Sequence, residues 1–225
     1  MGISVAAARA PEGRAGTRSL PRSWTLVSFV ERAFAFLLLI ALIPVLVSAA
    51  VAVALLSGRS PFVALARAGW RRKRIWLLKL RTMWGDEECE HAGSRLVERI
   101  AYSRVPETKM QDDPRVTSAF AAFCRKYSID ELPQLWNVIR GEMALVGPRP
   151  LTYIELESHY GYDAEEVLSV KPGLTGLWQV RGRNSLTYRE RLALDLYLVR
   201  NWSPGLYISV VAATVSAVLS GRNAG

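Results

Sequence analysis

Cysteine and histidine are the side chains that this sequence has least of, with two of each. Cys89 and Cys124 form no CxxC pair, and His91 and His159 complete no recognisable zinc-ligand spacing. We therefore expect reduced thiols and no structural zinc site. A domain that faces the cytosol agrees with this composition.

Acidic side chains are too few to balance the basic ones. The 225 residues include 29 Lys and Arg against 20 Asp and Glu, a formal charge of +9. This excess indicates an anionic partner, which can be nucleic acid, a membrane surface or a phosphorylated substrate. We expect no nucleic acid partner, because the sequence offers neither a recognition helix nor a base-stacking platform. The length suits one catalytic domain plus a membrane anchor.

One long stretch has no charge at all. It comprises the 26 residues between Arg32 and Arg59, mostly Ala, Leu, Val, Ile and Phe. A helix of that length can cross a bilayer core of roughly 30 Å. The buried helix of a soluble protein is the alternative. A cleaved signal peptide is disfavoured, because the run is too long and no small-residue cleavage site stands out.

Pro44 lies near the middle of this run. A proline there removes a helix hydrogen bond and costs about 3 kcal/mol in an ordinary helix. Both flanks of the run are rich in arginine, and positive charge marks the cytoplasmic side of a membrane segment. The sequence therefore predicts a re-entrant membrane helix over residues 23–58, bent at Pro44, with both ends on the cytoplasmic face. Residues 1–22 are predicted to form a flexible basic tail.

A second basic run follows the apolar one, from Arg67 to Arg81, and Trp70 and Trp76 are interleaved with its cations. Interfacial tryptophans and cations suit a membrane surface, where each cation contributes about 1 kcal/mol against anionic headgroups. The run therefore predicts contact between this part of the domain and the lipid bilayer.

The most informative stretch is Ser128 to Pro150, which reads SIDELPQLWNVIRGEMALVGPRP. Pro133 suits the first turn of a helix, which places Asp130 and Glu131 at or just before the helix N-terminus. Free backbone amides at that end favour carboxylates and bound phosphate. The apolar residues that recur with helical spacing, and so predict one buried face, are Leu132, Leu135, Trp136 and Ile139.

A simpler interpretation of the two acids has to be kept beside this one. Ser128 and Glu131 match the Ser-x-x-Glu capping box, and such a pair seen alone usually does no more than cap a helix. The end of the stretch is a turn in which Gly147 and Pro148 break the chain and present Arg149 on a stiff backbone.

Five further blocks surround this stretch. They are Ser60-Pro61-Phe62, LLKLRTM (77–83), DDPRVT (112–117), VKPGLTGLWQVRGRN (170–184) and LDLYLVRNWS (194–203). In this order, over roughly residues 24–220, the chain resembles the monotopic phosphoglycosyl transferases. These are bacterial sugar transferases that begin polysaccharide or glycan assembly on a polyprenyl phosphate carrier. Three features depart from the family pattern: Ile43 before the proline, the Arg71 to Arg74 run, and Arg181.

The resemblance implies a fold that is mostly α with short β elements. It adds a compact cytoplasmic catalytic domain, over residues 59–225, to the re-entrant helix kinked at a proline. It also implies that Asp130 is the nucleophile, and that Glu131 binds Mg²⁺ or assists proton removal. The residues that would bind substrate phosphates are Arg81, Arg125, Arg149 and Arg183.

The activity implied by the resemblance is transfer of a sugar 1-phosphate from a UDP-sugar to undecaprenyl phosphate. It would proceed through a covalent aspartyl intermediate, release UMP and take place at the bacterial inner membrane. The sequence also permits a homo-oligomer. Two other functions stay open: a non-catalytic membrane-bound scaffold of a polysaccharide-assembly complex, and an ordinary glycosyltransferase that releases UDP.

Coarser expectations cover the rest of the chain. A helix followed by a loop is expected within residues 85–115, and a helix around Phe123 that buries aromatics and turns Arg125 and Lys126 towards Asp130. We expect one helix from Tyr153 to about Ser169, a short strand at the LWQV segment, and an amphipathic helix over 192–202. Residues 206–219 are uncharged but too short to span a membrane, so they should lie in the interface or pack on the core.

Overall fold

A computed structural model describes residues 23–84, 96–100, 116, 118–182 and 186–220. The predicted basic tail (1–22) and Arg183 lie outside this range. The helices are α1 (Ser23–Ser57), α2 (Ala119–Lys126), α3 (Leu135–Ile139), α4 (Tyr153–Glu155), α5 (Ala164–Val167), α6 (Leu177–Arg181), α7 (Tyr188–Arg200) and α8 (Pro204–Leu219). The strands are β1 (Phe62–Ala68), β2 (Arg74–Leu80), β3 (Val97–Ile100), β4 (Ala144–Val146) and β5 (Gly173–Thr175). The prediction of a mostly helical fold with short strands is confirmed.

Helix α1 runs through the whole apolar stretch as one helix of 35 residues that includes Pro44. Its segment Val27–Ser57 is long and apolar enough to cross a membrane. One stripe of the helix is buried against the rest of the domain, at Glu31, Ala35, Leu46, Ala49 and Val53. These positions are separated by 4, 11, 3 and 4 residues, which are whole helical turns, and the other faces expose Phe, Leu, Ile and Val side chains. The bend at Pro44 stays a prediction.

The hairpin β1–β2 carries the basic run on a tight turn. The two strands pair antiparallel from Phe62 opposite Leu80 to Ala68 opposite Arg74. In the turn, Arg71 and Arg72 have φ values of 52° and 59°, which glycine or asparagine adopts more easily. Contacts outside the turn hold this backbone, because the Arg71 amide donates to the Leu168 carbonyl at 2.8 Å.

Strand β1 also pairs parallel with β3, so the first sheet has the order β2-β1-β3. The described part of the 85–115 segment therefore includes a strand, whereas a helix followed by a loop was expected. A short helix is less stable there than a strand that completes the open edge of β1.

A second, two-stranded sheet joins β4 and β5 in parallel. Gly147 and Gly173 meet where the strands end, and a Cβ on Gly173 would lie 2.1 Å from the Gly147 nitrogen. Only glycine permits this approach, which fixes the Gly-Pro-Arg-Pro turn against the turn that precedes β5. Helix α8 buries Val210 in the core beside Val146. Residues 206–219 therefore pack one face on the core. This is one of the two arrangements that were expected for them.

Three local predictions need correction. The LWQV segment is helix α6, because buried Leu177 and Trp178 are adjacent in sequence and both pack inward, which a strand cannot provide. The helix expected from Tyr153 to Ser169 is interrupted by a π-helical turn, Leu156–Tyr160, and by Gly161 at a φ of 47°. Helix α7 begins four residues before the expected Leu192, since Thr187 and Glu190 form a capping box at its start.

Candidate active site

Asp130 and Glu131 lie in a 3₁₀ helix, Ile129–Gln134, which leads into α3. Ser128, just before them, has a left-handed φ of 56°, and its side chain forms no cap hydrogen bond. The Ser128–Glu131 capping box therefore does not form, and the buried Ser128 hydroxyl has no hydrogen-bond partner among the described residues. A non-glycine residue held in this conformation beside two acids is typical of functional sites.

Lys79 lies against both acids. Its Nζ is 4.0 Å from Asp130 Oδ2 and 3.4 Å from Glu131 Oε1. The three side chains are largely buried, with exposed fractions of 16% for Lys79, 6% for Asp130 and 13% for Glu131. An ion pair with so little water around it is screened much less than a surface pair. We call Asp130 and Glu131 the acidic dyad, and Lys79 its lysine.

The sequence analysis did not single out Lys79. A signal was available, because Lys79 interrupts the otherwise apolar second half of strand β2, RIWLLKL. A lone cation between buried apolar neighbours requires a carboxylate or a phosphate beside it.

Asn137 fixes α3, and with it the acidic dyad, to strand β2. Its Oδ1 accepts from the Leu78 amide at 3.1 Å, and its Nδ2 donates to the Trp76 carbonyl and to Glu142 Oε2, both at 2.8 Å. These bonds satisfy the open edge of β2 one residue away from Lys79. The same contact therefore sets the distance between the lysine and the two acids.

The expected apolar face of this segment is only partly confirmed. Leu135 is fully buried, but Trp136 is 47% exposed, and Asn137 and Val138 are buried instead. The cause is the change from 3₁₀ to α geometry at Leu135. A 3₁₀ helix turns about 120° per residue and an α-helix about 100°, so one α-helical pattern cannot describe both halves.

Arg81 is buried and already paired within the protein. Its Nε donates to the Ser60 carbonyl at 2.9 Å, and its guanidinium forms an ion pair with Glu98 on β3. These contacts join the end of β2 to the start of β1. They account for the burial of Arg81 without a phosphate, and its phosphate-binding role stays a prediction.

Arg125 lies in the last turn of α2, half-buried and close in sequence to the 3₁₀ helix. Within the described residues no ion pair links its side chain to the acidic dyad. Phe123, expected to be buried, is 49% exposed, and α2 buries Ala121 and Cys124 instead. Burial raises the pKa of the Cys124 thiol to about 11, and the charge of nearby Asp130 adds to this.

Arg149 lies in a second cluster, built around Asp195 on α7. Asp195 is completely buried, and the Tyr160 hydroxyl donates to its Oδ2 at 3.0 Å. Burial raises the pKa of Asp195 to about 8, against the opposing effects of Tyr160, the charge and backbone amide of Arg149, and the Trp178 indole. The guanidinium groups of Arg149 and Arg191 lie over the Trp178 ring, at 5.5 and 4.9 Å. The Gly-Pro-Arg-Pro turn is thus anchored by two of the other sequence blocks.

The acidic dyad fits Mg²⁺ only together with ligands from a substrate. Among the described residues no group of three His, Cys, Asp or Glu side chains could hold a metal ion. The dyad offers two carboxylates, and Lys79 lies against both of them. Mg²⁺ commonly binds through one or two carboxylates plus substrate phosphates and water. The donor set therefore suits an ion that arrives with a pyrophosphate.

Comparison with known proteins decides the family. The sequence profile of the bacterial sugar transferases matches residues 22–221. The chain belongs to the bacterial sugar transferase family. The family predicted from the motif order is confirmed, and the protein is a transferase.

Relatives in this family differ in length. The chain is 42% identical over 195 residues to the exopolysaccharide production protein ExoY of Sinorhizobium fredii, covering 84% of this chain and 83% of ExoY. It is 37% identical over 195 residues to the UDP-galactose-lipid carrier transferase of Erwinia amylovora, covering 85% of this chain and 40% of that protein. It is 49% identical over 111 residues to the undecaprenyl-phosphate galactose phosphotransferase of Salmonella typhimurium, covering 49% of this chain and 23% of that protein. This sugar transferase chain therefore corresponds to most of ExoY and to less than half of the two larger relatives.

Proposed function

We propose that this sugar transferase moves a sugar 1-phosphate from a UDP-sugar to undecaprenyl phosphate, through a covalent intermediate on Asp130. The observation that carries the proposal is the buried acidic dyad with its lysine, held against β2 by Asn137. The names of relatives in Erwinia amylovora and Salmonella typhimurium support the donor and the acceptor. A lipid acceptor also explains why the catalytic domain is built onto a long apolar helix.

In the first step, a carboxylate oxygen of Asp130 attacks the phosphorus that carries the sugar. An Asp130 oxygen–phosphorus bond forms, the bond to the bridging pyrophosphate oxygen breaks, and UMP leaves with that electron pair. In the second step, a phosphate oxygen of undecaprenyl phosphate attacks the same phosphorus. The bond to Asp130 breaks, which restores the carboxylate and gives undecaprenyl diphosphate sugar.

Lys79 serves both steps by its position. Its ammonium stabilises the ionised form of Asp130 before attack and lies within reach of a phosphate placed on that carboxylate. When Asp130 becomes an acyl phosphate, the same cation can neutralise the phosphate oxygens. Glu131, 3.4 Å from the ammonium, would keep Lys79 in place and hold Mg²⁺, whose chemistry is to offset the charge of the pyrophosphate.

The packing of α1 supports a re-entrant arrangement at the cytoplasmic face. Near its start, Glu31 accepts hydrogen bonds from the Leu145 amide and the Tyr207 hydroxyl. Towards its end, Val53 is buried beside Leu80 and Cys124. Both ends of the helix thus contact the same domain, which favours both ends on the same side of the membrane.

The test is to incubate the purified protein with a UDP-sugar, without acceptor, and to analyse the acid-quenched protein by mass spectrometry. We expect the Asp130 peptide to carry a phosphosugar and UMP to appear in equal amount. Asp130→Asn should give neither while melting like the wild type, since Asn fits the same turn. Release of UDP would identify an ordinary glycosyltransferase. No turnover of any UDP-sugar, with or without undecaprenyl phosphate, would favour a scaffold.

A further inference from the structure

A cavity of about 420 Å³ lies beside the start of α1, away from the acidic dyad. Its wall comes from α1, the β1–β2 turn, β4, the turn before β5 and the α7–α8 corner, and includes Ser28, Arg32, Trp70, Lys171, Trp202 and Tyr207. The volume is within the range of about 300–1,000 Å³ typical of small-ligand sites. None of the residues that line the cavity belongs to the acidic dyad, and Lys79 does not line it either.

The charges in this cavity favour an anion. Lys171 Nζ lies 3.4 Å from the Ser28 hydroxyl, and none of the described carboxylates is within ion-pair distance of it. The Arg32 guanidinium donates to the Arg140 carbonyl at 2.8 Å, and within the described part of the chain no carboxylate forms an ion pair with it. The acid in the wall, Glu31, is held through one oxygen by the Leu145 amide and the Tyr207 hydroxyl. The cavity wall therefore carries two cations and one acid. The hydrogen bonds that hold the acid come from neutral groups and not from the cations.

The cost of burial is visible at Lys171. Burial lowers the pKa of its ammonium, and the charge of Arg32 lowers it further, while Glu31 acts in the opposite direction. A half-buried cation with this balance is stabilised by an added negative charge.

The apolar part of the wall favours an amphiphile over a free anion. Val27, Val170 and Leu198 line the cavity together with Trp70 and Trp202. Trp and Tyr concentrate at the membrane–water interface, where one end of a ligand is apolar and the other is charged. Phe29 on α1 lines the cavity and is 71% exposed, and Ile208 on α8, outside the cavity, is 66% exposed, so both extend the apolar surface.

We propose that this cavity binds an anionic phospholipid, with its phosphate between Lys171 and Arg32 and the start of an acyl chain against the apolar wall. The volume admits a headgroup and the first methylenes, and the remaining chain would follow the exposed faces of α1 and α8. The tail over residues 1–22 is an unsuitable occupant, since it carries four arginines against one glutamate. This site does not depend on the proposed catalytic mechanism. It is therefore tested by measuring lipid binding and not enzyme activity.

The full-length protein in neutral detergent is titrated with short-chain phosphatidylglycerol, with phosphatidylcholine, and with inorganic phosphate. Binding is followed by thermal shift and by native mass spectrometry. We expect phosphatidylglycerol to bind at least about tenfold more tightly than phosphatidylcholine. Lys171→Gln and Arg32→Gln should each weaken it about fivefold, whereas the exposed Lys73→Gln should change it less than about twofold. Val199→Phe, which fills the cavity without removing a charge, should also weaken binding.

Three results overturn the assignment. Equal losses from Lys73→Gln and Lys171→Gln would mean general surface attraction, and equal stabilisation by inorganic phosphate would mean a free-anion site. A photocrosslinker at Val199, in nanodiscs that contain phosphatidylglycerol, tests the occupant directly. Capture of the lipid supports the proposal, whereas capture of a peptide from residues 1–22 makes the tail the occupant and rules the lipid out.

Discussion

At the scale of single residues, the candidate site depends on three side chains that water hardly reaches. Lys79, Asp130 and Glu131 carry a net charge of −1 when all are ionised, and the lysine contacts both acids. Removal of the lysine takes away a positive charge that lies against both carboxylates. Loss of an opposite charge disfavours the ionised form of a buried carboxylate, and an acid that takes up a proton is a poor nucleophile.

Lys79→Met should therefore lower kcat/KM by about 100-fold or more, because it removes the charge that stabilises both the carboxylate and the transferred phosphate. The measurement is UMP release at saturating undecaprenyl phosphate. Lys73→Met is the matched control, as Lys73 is exposed in the turn at the other end of β2, and it should stay within about twofold of wild type. If Lys79→Met kept more than half of the activity, the ammonium would have no part in the chemistry.

Asp195 gives a second prediction at this scale, on pH. Burial raises the pKa of Asp195 to about 8 in the folded protein, against 3.8 for an ordinary Asp. Between these two values the folded state binds the extra proton, so the free energy of unfolding falls as pH rises from about 4 to 8. Asp195→Asn removes this loss, because the amide has no proton to release and still accepts from Tyr160. The melting temperatures of wild type and variant are measured at pH 5 and at pH 8. The variant should gain stability relative to wild type on going from pH 5 to pH 8. A difference that is the same at both pH values would mean that Asp195 is ionised throughout.

At the scale of elements, the dyad is placed by the contact between α3 and β2. Asn137 forms this contact with three side-chain hydrogen bonds, to Leu78, Trp76 and Glu142. Its replacement leaves a strand amide, a strand carbonyl and a carboxylate without their partner. Each buried group that loses its partner costs about 1–3 kcal/mol.

Asn137→Ala should lower Tm by roughly 5–10 °C, and should lower activity by more than the loss of folded protein explains, since the distance from Lys79 to the dyad is no longer fixed. Thermal melts and UMP release at a temperature where both proteins are folded measure the two effects. Asn201→Ala is the control, because Asn201 is exposed after α7 and its side-chain amide donates to the Tyr197 carbonyl, one turn earlier in the same helix. Equal Tm values for the Asn137 and Asn201 variants would contradict this account.

The elements differ in how well the sequence predicted them. Helix α1 and the acids at Asp130 and Glu131 followed from local pattern, because a long apolar run and a Pro-started turn act over a few residues. Lys79 did not, since it lies 52 residues before Glu131 and meets it only through packing of β2 against the 3₁₀ helix. Helix α6 was predicted as a strand because five residues are too few for periodicity to separate the two structures.

At the scale of the whole molecule, the arrangement of α1 against the domain limits how the protein can sit in a membrane. The buried stripe extends from Glu31 to Val53, about 33 Å along the helix. If this helix crossed the bilayer upright, the groups that cover the stripe would have to enter the hydrocarbon with it. Charged and polar segments such as Arg140 to Glu142, which contact Arg32, cannot do so at low cost.

The topology prediction follows from this packing and from the basic flanks. Single cysteines at Ser23 and Ser60, in a background with Cys89→Ser and Cys124→Ala, can be treated in intact cells with a membrane-impermeant thiol reagent. We expect both cysteines to stay unlabelled until the cells are opened, because a re-entrant α1 would place both of its ends on the cytoplasmic face. Labelling of the Ser23 cysteine from outside would establish a spanning helix and refute the re-entrant one.

Pro44→Leu supplies the matched variant for the same experiment. Leucine restores the helix hydrogen bond that proline lacks and removes the clash of the proline ring with the preceding turn. Together these changes are worth about 3 kcal/mol in an ordinary helix and favour a straight segment long enough to span. Ile43 has no hydroxyl that could satisfy backbone groups at a bend, so the balance should be easily shifted. We expect outside labelling of the Ser23 cysteine to rise in Pro44→Leu while the Ser60 cysteine stays protected. If Pro44→Leu left both cysteines protected, contacts between α1 and the domain, and not the proline, would determine the topology.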